Sequence, residues 1–330
     1  MTDFGEYKEK KVLITGGLGF IGSNLARRLA DLGARVTAVD SLIPEYGGNL
    51  FNLSGYEDHI KINIADIRDE FSMAHLVKNQ DYLFNLAGQT SHIDSMQNPF
   101  VDLDINCRSQ LFILEACRKH NPTIKIVYAG TRQVYGRPDF LPVHEAHPLH
   151  PTDVNGVNKM AGEWYHVLYY NVYGIRSCAL RLTNTYGPRM RIKDARQTFL
   201  GIWIRYLIED KPIEVWGNGR QIRDFNYVDD VVTALLMTGL SEEVNGQIYN
   251  LGSPEHINLE ELAALMVRVH GRGSYLVVPF PKDRQPIDIG DYFADFKKIR
   301  LALEWGPATG LEEGLSKTFQ YYYRHVDHYL

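Results

Sequence analysis

The sequence predicts an α/β chain: a doubly wound parallel sheet with a smaller mixed α/β lobe toward the C-terminus. Three observations predict it. Apolar strand-length runs alternate with helical runs through the first half, and parallel strands need such crossover helices. A glycine-rich turn, Thr15-Gly16-Gly17-Leu18-Gly19-Phe20-Ile21-Gly22, joins the first strand to the first helix. Beyond residue 184 the elements become shorter and mixed, with Pro212, Gly217 and Gly219 between them. The 330 residues allow a large core and one or two domains.

Lys11-Val12-Leu13-Ile14 reads as the first strand, and a helix opens near Ser23. Gly16 permits the tight bend, Gly19 lets the backbone approach a pyrophosphate, and Gly22 lets the helix pack close on the strand. With Phe20 and Ile21 they form the start of a helix whose free N–H groups face phosphates. Glycine-rich turns also serve structure alone, so the context matters. A second strand, 35–39, ends at Asp40, about twenty residues on, where a carboxylate can accept from an adenosine ribose diol. The pattern predicts a Rossmann-like site for a nicotinamide dinucleotide. Asp40 would repel a 2′-phosphate, which favours NAD over NADP.

A loop with Pro44 and Gly47-Gly48 comes next, then a third strand, 60–64, closed by Ala65-Asp66-Ile67-Arg68-Asp69. A helix over 71–78 leads to a buried fourth strand, 81–86, which Ala87-Gly88 breaks. Residues 99–120 read as one long helix, with Val101, Ile105, Leu111, Leu114 and Cys117 at helical spacing. A fifth strand covers 125–129, a second long and aromatic-rich helix 153–173, and a sixth strand 177–181. Further on, helices over 198–209 and 228–240 and strands near 213–215, 247–251 and 275–278 are expected. The predicted division places 1–184 in the dinucleotide-binding domain, with 228–252 returning to it, and 185–227 with 253–330 in the second lobe.

The net charge of −5 gives no reason to expect nucleic acid or an anionic membrane as partner. No apolar run approaches the roughly 20 residues of a membrane span. The polar start of the chain lacks a signal-peptide core, so the expected location is cytoplasmic. Cys107, Cys117 and Cys178 are an odd number without metal-ligand spacing and read as buried thiols of a reducing compartment, with no metal expected. Asn52-Leu53-Ser54 matches a glycosylation sequon, a coincidence in such a compartment.

From the fifth strand onward the motifs become specific. Gly130-Thr131-Arg132-Gln133-Val134-Tyr135-Gly136 resembles the serine/threonine loop of the extended short-chain dehydrogenase/reductases. The segments 181–189, with Asn184-Thr185-Tyr186-Gly187-Pro188-Arg189, and 217–230, with Arg223-Asp224-Phe225, resemble two later motifs of that family. They occur in family order and the resemblance covers nearly the whole chain. It implies a nucleotide-sugar epimerase, dehydratase or related enzyme carrying NAD. Residues 85–135, with Ala87-Gly88-Gln89, also resemble the 2-epimerases of CDP-linked sugars.

In that family a hydride passes from a sugar carbon to NAD while a tyrosine takes the hydroxyl proton. A lysine four residues on, on the same helix face, holds the nicotinamide ribose, and a serine or threonine bonds the reacting oxygen. Thr131 matches the hydroxyl and Lys159 the lysine, but Asn155 stands at the tyrosine position. An amide has no acid–base chemistry near neutrality. Three readings are open: another base acts, with His92, Asp153, His144, His147, His150 and Tyr165 as candidates; or Asn155 and Thr131 position the hydroxyl while water carries the proton; or the site binds without oxidising. Family dehydratases carry Asp-Glu after the threonine; Arg132-Gln133 stands here, which places epimerisation ahead.

By the same resemblance, Asn184, Arg189, Arg223 and Arg284 bind the nucleotide diphosphate, guanidinium groups meeting phosphate oxygens two at a time. Asp66 and Ile67 contact adenine, and Leu86, Ala87 and Gly88 run under the cofactor. Tyr135 reads as packing. The two long helices match the pair through which such enzymes form a homodimer. The leading expectation is an NAD-dependent nucleotide-sugar epimerase with Thr131, Asn155 and Lys159 as an atypical triad. The alternatives are a dehydratase or decarboxylase of the same family, or a non-catalytic protein binding NAD and a nucleotide sugar.

Overall fold

The structure, a computed structural model, describes residues 4–282 and 284–330. Its main sheet has seven strands, all parallel: β1 (Lys11–Thr15), β2 (Arg35–Asp40), β3 (Ile60–Ile64), β4 (Tyr82–Asn85), β5 (Lys125–Thr131), β6 (Ser177–Leu182) and, far along the chain, β10 (Ile248–Asn250). Their order is β10-β6-β5-β4-β1-β2-β3. The order reverses between β1 and β4, and a crevice opens there at the carboxyl ends of the strands. The expected return of 247–251 to this sheet is the pairing of β10 with β6.

Crossover helices cover both faces. They are α1 (Phe20–Asp31), α2 (Glu70–Leu76), α3 (His92–Gln97), α4 (Pro99–Leu103), α5 (Ser109–His120), α6 (Val154–Tyr173) and α8 (Val228–Leu240). α1 begins three residues before the expected Ser23, with Gly19 as its extended N-cap. Gly22 therefore sits in the first turn, where a Cβ would lie 2.1 Å from the Gly16 carbonyl oxygen. The single helix expected over 99–120 is interrupted by a π-turn at Asp104–Arg108. Side-chain bonds to the Ile105 carbonyl from Ser109 Oγ (2.5 Å) and Gln110 Nε2 (3.3 Å) accompany that widened turn.

α6 is the longest helix and carries the most buried polar groups. Asp153 caps it, its Oδ1 accepting from the Gly156 N–H at 2.7 Å, and Gly174, at φ +71°, ends it. Its buried stripe includes Asn155, Asn158, Lys159, Gly162, Glu163 and His166. Close packing replaces bulk at Gly162, where a Cβ would lie 2.7 Å from the Tyr128 hydroxyl.

The second part of the chain adds β7 (Asn184–Tyr186), α7 (Phe199–Ile208), β8 (Ile213–Trp216), β9 (Ile222–Tyr227), β11 (His256–Asn258), α9 (Leu259–His270), β12 (Tyr275–Val278), α10 (Lys297–Leu303) and α11 (Leu311–His325). β9 pairs with β7 in parallel and with β11 antiparallel, and β8 pairs with β12. The strands β7, β9 and β11 are not foreseen by the sequence, being short or rich in polar residues. The largest apolar cluster runs from Tyr7 to Tyr329 and takes in residues of all three sheets, and a second covers the other face of the main sheet around Leu13, Leu83 and Ile126. Cys117 and Cys178 are buried as expected, whereas Cys107 is half-buried. Among the described residues no helix is long and apolar enough to cross a membrane.

Candidate active site

A single cavity of about 970 Å³ runs from the glycine turn across the ends of β1, β4 and β5 to β8 and β9. It is at the upper end of the size usual for ligand pockets. At one end it is lined by Gly16, Gly19, Phe20, Ile21, Gly22, Asp40, Asp66, Ile67, Leu86, Ala87 and Gly88. Backbone contact forms this end. A Cβ on Gly16, whose φ is +67°, would come within 3.0 Å of the Ala87 backbone. Thr15 Oγ1 fixes the β4 turn from below: it donates to Asn85 Oδ1 at 2.9 Å and accepts from the N–H groups of Leu86 and Ala87. Asp40 ends β2 and is held by the N–H groups of Leu18 (3.2 Å) and Leu42 (2.9 Å). Burial pushes its pKa up, against these bonds. Asp66 is ion-paired with Arg68 at 2.6 Å, which outweighs burial and holds its pKa below the ordinary value. A glycine cradle leading into a helix start, next to a fixed carboxylate, fits a dinucleotide with its pyrophosphate on the helix start and its ribose on Asp40.

The middle of the cavity is lined by Thr131, Arg132, Gln133, Asn155, Lys159 and His92. Lys159 Nζ donates to the Ala129 carbonyl at 3.1 Å, and a Cβ on Gly88 would lie 2.9 Å from it. Burial lowers its pKa to about 8, with Asp102 opposing. Thr131 Oγ1 accepts from the Gln133 N–H, which leaves its own proton to donate. Asn155 Nδ2 donates to the Gln89 carbonyl (2.8 Å) and to Asp102 Oδ2 (3.1 Å). Asp102 is fully buried and also accepts from Asn106 (3.0 Å) and Asn158 (2.8 Å). The amide of Asn155 therefore ties the strand-four loop to α6.

Of the candidate bases, only His92 lines the cavity. His147 is buried, its Nε2 accepting from the Asp139 N–H and its Nδ1 facing the Pro148 carbonyl. His144, His150 and Tyr165 lie elsewhere, Tyr165 against Cys107. Asp153 lies behind His92, with Oδ2 2.8 Å from His92 Nδ1 and 2.9 Å from Gln133 Nε2. These contacts outweigh burial and lower the Asp153 pKa. Tyr135 is buried away from the cavity, donating to Asn250 and accepting from Arg181.

The far end brings together Asn184, Arg223 and Arg284 but not Arg189. Arg189 instead donates to Asn24 Oδ1 at 2.7 Å and lies over the Tyr321 ring. Arg223 is buried, donates to the Ile222 and Gly290 carbonyls, and reaches Asp288 only at 3.9 Å. Burial, and then the nearby Arg132, lower its pKa to about 10. Arg132 donates to Asn184 Oδ1 at 3.2 Å, and its buried Nη1 has no hydrogen-bond partner among the described residues. Arg284 lies over Trp216 at 4.4 Å, and Trp216 meets Phe280 edge-on. Arg132, Arg196, Trp216 and Phe280 are cavity residues that sequence reasoning missed. The only available signal was a guanidinium directly after Thr131, where dehydratases carry an acid.

Residues 12–252 match the NAD dependent epimerase/dehydratase family. The chain belongs to that family. Its cofactor is therefore NAD, and the glycine cradle and Asp40 fit it. The chain is 32% identical over 308 residues to a Methanocaldococcus jannaschii protein provisionally named UDP-glucose 4-epimerase, covering 93% of this chain and 96% of that one. It is 30% identical to UDP-glucuronic acid decarboxylase 1 of Xenopus tropicalis, over 98% of this chain and 74% of the relative. A solved UDP-glucose 4-epimerase from Thermotoga maritima, with UDP-glucose, superposes at a TM-score of 0.87 with 28% identity, covering 96% of this chain and 99% of that one. Family membership makes the chain an enzyme of the epimerase/dehydratase kind.

The cofactor end generates two predictions. Asp40→Asn removes a charged acceptor, so NAD should bind about 10-fold more weakly, while NADP binding holds or improves. Calorimetric titration with both cofactors measures this, and an unchanged ratio would remove Asp40 from the ribose site. Lys159→Met should weaken NAD binding roughly 10- to 100-fold. Because folding lowers the Lys159 pKa, the unfolded chain binds more protons between about pH 8 and pH 10, and stability rises with pH there. The methionine variant without ligand should therefore melt higher than the parent at pH 7, and the gap should close toward pH 10. A parent that melts higher throughout would contradict this.

Proposed function

We propose that the protein is an NAD-dependent nucleotide-sugar epimerase. The observation that carries this reading over elimination of water is the pair of residues directly after Thr131. Arg132 presents a guanidinium and Gln133 an amide whose side chain is already bonded to Asp153. Neither can serve as the acid or the base that elimination requires. Epimerisation needs only removal of hydride and proton and their return.

The cavity supports the substrate class. Arg132, Arg223 and Arg284 make its far end cationic, which suits a diphosphate. Trp216 and Phe280 offer aromatic surface for a base. Bound NAD supplies the hydride acceptor. The chain's own residues do the rest: Thr131 donates to the reacting oxygen, Lys159 holds the nicotinamide ribose, and Asn184 with the guanidinium groups orients the sugar by its diphosphate. In this division 1–184 with 228–252 is the NAD-binding domain, which also lends Thr131, Arg132 and Asn184 to the sugar, and 185–227 with 253–330 is the substrate lobe, which supplies Arg223 and Arg284.

The outer face of α6 is apolar and exposed at Val157, Trp164, Leu168 and Val172, and Phe100 and Leu103 of α4 are exposed too. That surface supports a homodimer through these helices. Sedimentation should give about twice the 37.7 kDa chain mass, and Trp164→Glu with Leu168→Glu should return it to one. A monomer at micromolar concentration would sink the dimer.

Absorbance near 340 nm, recorded while nucleotide sugars are added to NAD-loaded protein, tests the reaction, with products resolved by NMR. An isomeric product with transient reduction is the expected result. Loss of water or of carbon dioxide would overturn epimerisation in favour of a dehydratase or decarboxylase. Tight binding without any conversion would overturn catalysis altogether.

A further inference from the structure

A sugar hydroxyl that gives up a hydride must also give up a proton, and the group receiving it must be a base near neutrality. The middle of the cavity offers few candidates. Thr131 and the amides of Gln133 and Asn155 have no such chemistry. The guanidinium groups stay charged. Lys159 is directed at the Ala129 carbonyl. Asp94 is paired with Arg196 at 3.0 Å. Burial pushes the Tyr46 phenol up, away from a useful base. His92 remains, the first residue of α3, with its side chain 39% exposed.

Its surroundings have the form of a base with an orienting carboxylate. Asp153 is buried and fixed three ways: as the cap of α6, by Gln133 Nε2, and by His92 Nδ1 at 2.8 Å. The N–H direction of the ring is off line from the carboxylate, so this is a close contact, not a formed hydrogen bond, and ring rotation would straighten it. Catalytic contacts are often loose before substrate binds. The same Gln133 donates through its backbone to Thr131 Oγ1 at 3.2 Å. The imidazole and the threonine hydroxyl thus stand at two ends of one chain of contacts, His92–Asp153–Gln133–Thr131. The charged groups facing the ring are Asp153 from the α6 cap and, on its own helix, Asp94 with its partner Arg196.

We propose that His92 is the proton acceptor of the reaction, its Nδ1–H turned to Asp153 and its Nε2 toward the sugar hydroxyl. This rests on the epimerase reading above. The C–H electron pair leaves as hydride to the nicotinamide, the O–H proton goes to Nε2, and the C–OH becomes C=O. The imidazolium so formed is balanced by Asp153. Return of hydride to the other face of the carbonyl takes the proton back from Nε2, so neither proton nor electrons are consumed. Asn155, at the helix position beside it, is a positioning residue that holds the Gln89 loop and Asp102.

Two measurements test this. In 15N-histidine NMR of the ligand-free protein, with His92 assigned by His92→Gln, the neutral ring should carry its proton on Nδ1. Asp153→Asn should shift that tautomer toward Nε2. In the loaded enzyme, His92→Gln should lose at least about 100-fold in the rate of 340 nm reduction, with NAD affinity unchanged, and added imidazole should restore part of the rate. A fully active His92→Gln, or a neutral ring protonated on Nε2 in the parent, overturns the assignment while leaving the epimerase reading intact. Failure of the parent to oxidise any nucleotide sugar overturns that reading and the proposal together.

Discussion

The bidentate ion pair between Glu163 and Arg181 sets the position of α6, and the site depends on α6. Arg181 Nε and Nη2 meet the two carboxylate oxygens at 2.8 and 2.5 Å, with both side chains almost wholly buried. Burial alone would lower the Arg181 pKa; Glu163 outweighs it and raises it. Arg181 also donates to the Tyr135 hydroxyl, which donates to Asn250. The pair thus joins α6 to β6, β10 and the turn after β5. Removing one partner of such a pair costs about 3–5 kcal/mol, because the other charge stays buried.

Above that anchor, α6 runs polar where a crossover helix is usually apolar. Asn155, Asn158, Lys159, Glu163 and His166 recur at three- and four-residue steps on its buried side. A buried polar stripe is tolerable only when its groups are bonded. Asp102 receives Asn106, Asn155 and Asn158, and His166 Nδ1 lies 2.7 Å from the Gly162 carbonyl. The stripe brings Asn155 and Lys159 to the cavity one turn apart and stops Lys159 below the Gly88 backbone. Gly88 and Gly162 make room for this, since side chains there would strike Lys159 and Tyr128.

Local signals carried much of the fold into the sequence. The strands of the main sheet are apolar runs, and the glycine turn is a chain-local pattern. Even the return of residues 248–250 shows as an apolar stretch after a helix. Less legible were features set by distant partners. α1 starts at Phe20 because the Gly22 turn can close on Gly16. β9, with Arg223, Asp224 and Asn226 among its six residues, lacks an apolar run and pairs with β7 and β11. Arg189, the last residue of its motif, points instead to Asn24, 165 residues away. Six residues are candidates for a base in the sequence, and residue type alone separates the four histidines from Asp153 and Tyr165 but not from one another. Only the cavity wall separates His92 from His147, whose nitrogens are already occupied by Asp139 and Pro148.

Asn155 is not an isolated exchange of one side chain for another. Its Nδ2 reaches Gln89 and Asp102, which lie 66 and 53 residues away. Asn106 reaches the same two groups. Gln89 and Asp102 are buried, so each donor there replaces water for an acceptor, and Asn155 shares both acceptors with Asn106. A phenol at 155 has one hydroxyl hydrogen to offer and a longer reach, so it cannot donate to both acceptors as Asn155 does. The amide is thus built into a set comprising Asp102, Asn106, Asn158 and the Gln89 loop. In that set position 155 fixes the loop leading to His92, and its amide has no proton chemistry of its own near neutrality.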